Sequence, residues 1–398
     1  RALRERYYRL DTKNLTSSKK LIAVAVLGAC VAGSAFAANV DVYGRIDTGL
    51  SYVHYDETGL SDAKDTLSLD SGMSSGNHWG LKGSEDLGNG YQVGFVLESG
   101  FDADTGALGA GGIFAREATL RVSGPFGSIY AGRMGRIGSD AGSVGFYAGS
   151  VSPFGSGWGK MSGHFAVTAN YDSRYNNALA YVSPKVGPVT VYAQYTMGNA
   201  TENESGDDRL FSLGAQADFG ALQVLGLVEY LNKKSVAGTT VYDDSQYDDS
   251  YTINLGGSYD FSVAKVFLAG QYFKAAPNYA GMKANYAKLV EGEEWRYSFD
   301  GFGVNVGATA PIGAGEFLVS AGYGKGDLNY NTQDAKRSAD AYIIQVGYTY
   351  PFSKRTNLYA GAGYMQTSME DGITNTDSTT SDKDFKTTQV MFGLLHKF

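Results

Sequence analysis

The chain has 398 residues, with 43% hydrophobic content, 54 glycines, 29 tyrosines, only 7 prolines and a formal net charge of -8 at pH 7. That acidity argues against nucleic acid as a partner, and no run reaches the ~20 consecutive apolar residues of a transmembrane helix. The mean hydropathy of -0.22 fits a soluble protein, and equally a membrane barrel, whose strands alternate lipid-facing and lumen-facing side chains so that the averaged signal is weak.

At the start of the chain, Lys19-Lys20 precede an apolar run over 21–33 and then Ser34-Ala35-Phe36-Ala37. A basic segment, a short apolar segment and an A-x-A site predict a secretory signal over 19–37, cleaved after Ala37. Residues 1–18 read as an over-extended start. The single cysteine, Cys30, falls inside the signal, so the exported chain has no disulfide or thiol chemistry. Removal of 1–37 leaves 26 basic and 39 acidic residues, a net charge of -13 with His neutral.

Residues 38–398 read as one domain of alternating strands, without an amphipathic helix. Val40, Val42, Ile46 and Leu50 share one parity, and Asp41, Arg45 and Asp47 the other. After a polar loop come His78 to Gly83, a turn over 86–90, and a strand with Val93, Phe95 and Leu97 on one face. A hairpin follows at 116–123 and 128–134, turning at Gly124-Pro125-Phe126-Gly127. Further strands are expected at 171–183 and 189–196, then in pairs at 210–219 with 222–231, 251–261 with 266–273, 302–310 with 317–323, and 342–350 with 358–364. The last is 386–398. The count is about sixteen, which suits an outer-membrane barrel.

The connections alternate in kind. Tight turns at 183–188, 218–220, 310–315 and 350–354 take most of the prolines, where no ladder bond is lost. Long acidic segments at 56–70, 201–208, 242–249, 289–294 and 370–384 read as solvated outer loops, although the run Asp243 to Asp249 also has carboxylates at a spacing suited to a divalent cation. Short turns at one end and long loops at the other are the pattern of a barrel with periplasmic turns and extracellular loops. An open strand edge in lipid would leave backbone groups unpaired, so 40–55 must pair with 389–398. This places Phe392, Leu394 and Phe398 on the outer face. Tyr342, Tyr348 and Tyr350 share one parity and read as interfacial girdle residues.

One connection, 137–170, is far longer than usual. It carries Phe146, Tyr147, Phe154, Trp158 and Phe165 with one acid, Asp140, one lysine, Lys160, and one histidine, His164. An aromatic, nearly uncharged loop beside Arg116, Arg133 and Arg174 reads as a segment folded inward against a basic wall, the constriction of a pore.

Val42-Tyr43-Gly44-Arg45, Trp79-Gly80-Leu81-Lys82-Gly83-Ser84-Glu85-Asp86-Leu87-Gly88, Phe126-Gly127-Ser128 through Gly132-Arg133, and the ending Gly393-Leu394-Leu395-His396-Lys397-Phe398 resemble the Gram-negative general porins, especially their beta-proteobacterial branch. The resemblance runs over essentially all of 38–398. It implies a trimer of sixteen-stranded barrels in outer-membrane lipid, with the third extracellular loop folded into the lumen. It also implies wall arginines at Arg116, Arg133 and Arg174, with Arg45 as a fourth. His78 stands where many members have arginine, which makes the wall weaker and sensitive to pH. Asp140 is the only acid on the loop, so the balance should favour anions. If Arg116 points inward, strict alternation turns Glu117 and Arg121 outward and Ala118, Leu120 and Val122 inward, against hydropathy. That register is tenable in a subunit interface, with Glu117 and Arg121 meeting a neighbouring protomer.

The function expected is passive diffusion of ions and small hydrophilic solutes, with no reaction and no cofactor. A substrate-specific channel would need an inward ladder of aromatics. An enzymatic barrel would need a partner motif for His54, His78, His164 or His396, and none is recognisable. A structural or adhesive barrel would not conduct.

Overall fold

The computed structural model describes residues 39–58, 63–109, 111–161, 163–198, 208–232, 248–280, 282–283, 297–330, 333–373 and 380–398. The expected signal at 19–37, the extended start at 1–18 and, of the expected acidic loops, 59–62, 201–207, 242–247, 289–294 and 374–379 lie outside these residues. In 56–70 and 370–384 the described part is mostly strand, not loop.

Alternation along the chain becomes the wall of a barrel. In β1 (Asn39–Glu57), Val40, Val42, Ile46 and Leu50 are exposed on the outside while Asp47 and Ser51 are fully buried inside. β2 (Lys64–Ser71) and β3 (His78–Gly88) both pair with β1, the first along Thr48 to Tyr55 and the second along Asn39 to Arg45. Together they make one interrupted strand. The chain continues as β4 (Tyr91–Gly100), β5 (Glu117–Gly124), β6 (Gly127–Gly135), β7 (Arg174–Val182), β8 (Val189–Thr196), β9 (Arg209–Phe219), β10 (Leu222–Asn232), β11 (Ser250–Asp260) and β12 (Lys265–Ala276). A two-residue ladder, β13 (Asn278–Tyr279) with β14 (Met282–Lys283), precedes β15 (Tyr297–Ile312), β16 (Gly315–Tyr330), β17 (Gln333–Pro351), β18 (Thr356–Ile373) and β19 (Thr380–Lys397). The 17 segments of the large sheet therefore fill sixteen positions, all antiparallel.

The wall closes where the alternation requires it. β1 pairs with β19 from Arg45↔Lys397 to Glu57↔Phe385, and Phe398 exchanges both backbone bonds with Gly44 at 3.0 and 3.2 Å. A Cβ on Gly44 would come within 2.5 Å of the Phe398 ring, so the glycine makes room for the terminal side chain. Val390, Phe392, Leu394 and Phe398 are exposed outside, where the sequence places them. Turns of two to six residues join β3–β4, β5–β6, β7–β8, β9–β10, β11–β12, β15–β16 and β17–β18 at one end.

The expected register of β5 is reversed. Leu120 and Val122 are 55% and 38% exposed and face outward, whereas Glu117 and Thr119 are 1% and 5% exposed and face inward. Arg121 follows them, its Nη2 donating to Gln92 Oε1 at 2.6 Å on the lumen face. Glu117 accepts from the Ser143 N–H at 2.9 Å and the Ser143 hydroxyl at 2.6 Å, so it holds the long loop and not a neighbouring protomer. Hydropathy prevails, as it should where a lipid-facing arginine costs roughly 2–4 kcal/mol. Arg116 escapes the parity argument because it precedes the strand, so strict alternation does not constrain it.

The break between β2 and β3 is folded inward by one carboxylate. Asp47 accepts from the Ser74 N–H and hydroxyl, both at 2.9 Å, from the Ser75 N–H at 2.7 Å, and from the Tyr359 hydroxyl. Four donors on one fully buried acid leave it well satisfied. Asp47→Ala is expected to cost about 2 kcal/mol, read as a lowered urea midpoint of the refolded barrel. An unchanged midpoint would show that 72–77 is held by other contacts.

The segments 136–161 and 163–173 cross the lumen and make a core with the wall from β6 and β7 round to β19. Phe146, Tyr147 and Val151 pack with Leu210, Leu225, Leu227 and Ala269. Ala166 and Val167 pack with Phe273, Ala339, Ala341 and Ile343, and Phe154 and Trp158 with Tyr359 and Met391. Wall glycines admit the loop. A Cβ on Gly303 or Gly324 would lie about 2 Å from the Val167 carbonyl oxygen. Glutamines pin its backbone: Gln194 bonds Ile137 N–H and Gly135 O, Gln271 bonds both N–H and O of Ala169, and Gln389 takes the Lys160 N–H. The aromatic composition of this loop is therefore that of a buried element.

Candidate functional site

With the loop pinned to β8, β12 and β19 by glutamines, the remaining passage lies along β1–β7, where arginines gather on the lumen face beside a few acids. A cavity of about 600 Å³ is lined by Arg45, Lys82, Arg116 and Arg174 on the cationic side and by Glu98, Glu117 and Asp140 on the anionic side, with Tyr43 and His78 beside them. A second cavity, of about 530 Å³, is lined by Arg116, Arg133 and Arg174 with Asp102, Asp172, Asn77 and Asn176. Arg116 and Arg174 line both and mark the junction.

Each guanidinium is held by few bonds. Arg174 Nε donates to the Arg116 carbonyl at 2.8 Å. Arg133 donates from Nε to the Ala115 carbonyl at 2.5 Å and from Nη1 to Asn176 Oδ1 at 2.6 Å. Arg45 Nη1 donates to the Ser75 hydroxyl. These acceptors are neutral, so the positive charge persists. Among the described residues, Arg116 alone of these arginines has a carboxylate partner, its Nε donating to Glu98 Oε1 at 2.6 Å. Gly76 and Gly100 leave it a slot, since a Cβ on either would meet its side chain at 3.0 or 3.1 Å.

Glu98 is the hub. Its Oε2 accepts from the Tyr43 hydroxyl at 3.1 Å and lies 3.5 Å from His78 Nε2. His78 Nδ1 donates to the Gly76 carbonyl at 3.0 Å, which fixes the proton of the neutral ring on Nδ1 and turns Nε2 toward the carboxylate. Asp140, on the loop, accepts from the Ser156 N–H at 2.9 Å and its hydroxyl at 2.5 Å.

The structure thus brings Arg45, His78, Arg116, Asp140 and Arg174 to one cavity and Arg133 to the adjoining one. Lys160 lines neither, since its backbone docks at Gln389 on β19 while its side chain is exposed. Glu98 and Lys82 were legible and missed. With Val93, Phe95 and Leu97 outside, Glu98 must face in, and Lys82 shares the parity of His78. Arg136 carried no such signal. It is buried beneath the loop, ion-paired with Glu229, with Nη2 donating to Asn170 Oδ1 at 2.6 Å and its guanidinium over Phe165 and Tyr171 at 5.7 and 5.6 Å.

His164 sits in the same loop, fully buried, with neither ring nitrogen bonded to a protein group. Burial, and then the nearby Arg136 charge, push its pKa down to about 4. The folded loop therefore holds a neutral imidazole that the unfolded chain protonates below about 6.5. Stability from this group is complete above that value and falls as pH drops through the window to about 4, by roughly 3 kcal/mol in all. His164→Leu is expected to flatten this acid limb in urea unfolding measured between pH 7 and 4. An unaltered limb would assign it to the carboxylates.

Comparison with known proteins gives a consistent result. A family model described as Gram-negative porin matches residues 23–370. An outer membrane porin protein of Bordetella pertussis is 30% identical over 416 residues, covering 96% of this chain and 100% of that protein. Outer membrane porin protein 32 of Delftia acidovorans is 30% identical over 360 residues, covering 87% and 89%. Among solved structures, the anion-selective porin from Comamonas acidovorans superposes with a TM-score of 0.60 at 23% identity, covering 91% of this chain and all of that one.

Proposed function

Because the chain belongs to the Gram-negative porin family, we propose that ions and small hydrophilic solutes diffuse passively through its lumen in the outer membrane, with anions favoured. The observation that carries the preference is the balance and exposure of charge in the cavity between the arginines and the loop. Four cations (Arg45, Lys82, Arg116 and Arg174) face three carboxylates (Glu98, Glu117 and Asp140), a surplus of one positive charge. Two of the three carboxylates, Glu98 and Glu117, are only 8% and 1% exposed. A passing ion meets the partly exposed guanidinium groups, the exposed Lys82 and, of the acids, mainly Asp140, and charge in a low-dielectric constriction sets local ion concentration. The reading includes no reaction and no cofactor.

A trimer is part of the proposal. β5 and β8 have eight residues each, and eight residues tilted ~45° rise only about 19 Å, short of the ~25 Å apolar band. β15 and β17, with 16 and 19 residues, have ample length. A low wall carrying exposed Leu120, Val122, Ile129 and Leu179 suits contact with a second subunit better than contact with lipid.

The test is the zero-current potential of the refolded protein in a planar bilayer under a KCl gradient. Conductance in groups of three steps with a chloride-sided potential supports the reading. A potassium-sided potential would keep the channel and reject the role given to the arginines, and absence of conductance would reject the channel.

A further inference from the structure

Residues 277–280, which follow β12, turn into the lumen. The register between β12 and β15 shifts between Phe273 and Ala276. Within that shift Ala275 takes φ 49° and donates its N–H to Asp300 Oδ1 at 2.7 Å. Ala280, five residues on, takes φ 48°. A left-handed backbone is rare for a residue with a side chain and persists where the surroundings over-determine it.

Between these two alanines, β13 meets the exit of the constriction loop. Ala169 and Tyr279 form an antiparallel bridge. The Asn170 N–H donates to the Asn278 carbonyl, the Ala280 N–H to the Thr168 carbonyl, and Asn278 Nδ2 to the Asn170 carbonyl, each at 3.2 Å. Gln271 holds Ala169 from the wall, accepting its N–H at 2.7 Å and donating to its carbonyl at 3.1 Å. The loop exit is thus gripped from two sides. Tyr279 secures the inner side. It is fully buried, with its ring 5.1 Å from Phe273 and 5.8 Å from Phe299, centroid to centroid. A Cβ on Gly326 would lie 2.9 Å from that ring, so the wall leaves a seat for it.

We infer that Tyr279 and Asn278 are positioning residues of the constriction, a second lumenal segment that fixes the exit of the loop and sets how readily the pore closes under voltage. The inference rests on the porin reading above. The loop entrance is held by Arg136 and Gln194 and its middle by Gln389. Without β13, among the described residues, the backbone at 168–170 keeps Gln271 alone, with Arg136 on the Asn170 side chain and on the Ser173 carbonyl and Tyr171 on Ser250 beyond it. A field acting on the loop then has a more weakly held end to move.

The experiment records single channels of the full chain refolded into planar bilayers, comparing wild type, Tyr279→Phe, Tyr279→Ala and Asn278→Ala. Tyr279→Phe keeps the ring and should close at the wild-type voltage. Tyr279→Ala should close at a lower voltage and flicker among sub-conductance levels, with its zero-current potential unchanged because no lumenal charge is altered. A folded Tyr279→Ala barrel with wild-type closing voltage and quiet current would overturn the inference while leaving the porin reading intact. Should Tyr279→Ala fail to fold, Asn278→Ala, which removes one side-chain bond, must shift the closing voltage in the same direction, and an unshifted voltage there overturns the inference. A wild-type protein that does not conduct rejects the porin reading itself, and the gating role with it.

Discussion

Glu229→Ala is expected to destabilise the folded barrel by roughly 3–5 kcal/mol and to raise current noise in the open channel. The pair it breaks is deeply buried, at 2% exposure for Arg136 and 1% for Glu229. Taking two charges from water is costly, and only their attraction and surrounding bonds offset the cost. Glu229 also accepts from the Ser212 hydroxyl at 3.2 Å, and Arg136 reaches Asn170 and two aromatic rings. Removing the carboxylate leaves a guanidinium in that space without its counter-charge. The loop entrance, where Arg136 directly precedes Ile137, loses its anchor. Urea unfolding followed by tryptophan fluorescence reads the stability, since Trp158 lies in the loop core. The double variant Arg136→Met with Glu229→Leu separates charge from packing. It should recover most of the loss, because a buried pair replaced by apolar groups of similar volume is often close to neutral. A Glu229→Ala protein as stable as wild type would show that the pair contributes no net anchoring.

The second large effect concerns selectivity. Replacing Arg45, Arg116 and Arg174 together with glutamine leaves Lys82 against Glu98, Glu117 and Asp140 in the main cavity, a change from one net positive charge to two net negative. A unit charge about 4 Å away is worth roughly 1 kcal/mol in water-like surroundings and more where water is scarce. The chloride-to-potassium permeability ratio should therefore fall by roughly one to two orders of magnitude at low salt, with a reversal to cation preference. The effect should shrink toward 1 M KCl, where the screening length is about 3 Å. Arg116→Gln alone should have more than its share, because it leaves the Glu98 carboxylate without its charged partner. A triple variant with wild-type reversal potential would place the selectivity filter elsewhere, for instance in the acidic outer loops.

The order and faces of the barrel strands could be read from local pattern, but not their lengths: 56–70 and 370–384, expected as loops, carry strand at Lys64–Ser71, up to Ile373 and from Thr380. Val42, Ile46 and Leu50 against Arg45, Asp47 and Ser51 identify both faces of β1, and Phe392, Leu394 and Phe398 identify the closing strand. The aromatic loop was legible too, because Phe146, Phe154 and Trp158 have no place on a solvated surface. The failure at Glu117 and Arg121 came from extending strict alternation back to Arg116, a residue outside the strand. Hydropathy of Leu120 and Val122 already opposed that register and proved the better guide.

What the sequence determined by itself is what a strand needs only its immediate neighbours to decide: which side chains face lipid, where turns fall, and which ends must meet. Lipid leaves no alternative for an apolar row or an open edge, so these choices are local and strong. The tertiary structure decided the rest. Glu98, on β4, came to hold Tyr43, His78 and Arg116 because β1, the start of β3 and the residue just ahead of β5 bring those three side chains to it. The loop chose the β8–β19 wall because Gly303, Gly324 and the clamping Gln194, Gln271 and Gln389 offer close approach and backbone partners there. The meeting of Tyr279 with Ala169 joins segments more than a hundred residues apart in the chain. Such contacts depend on the shape of a closed lumen, and shape appears only once every strand is in place.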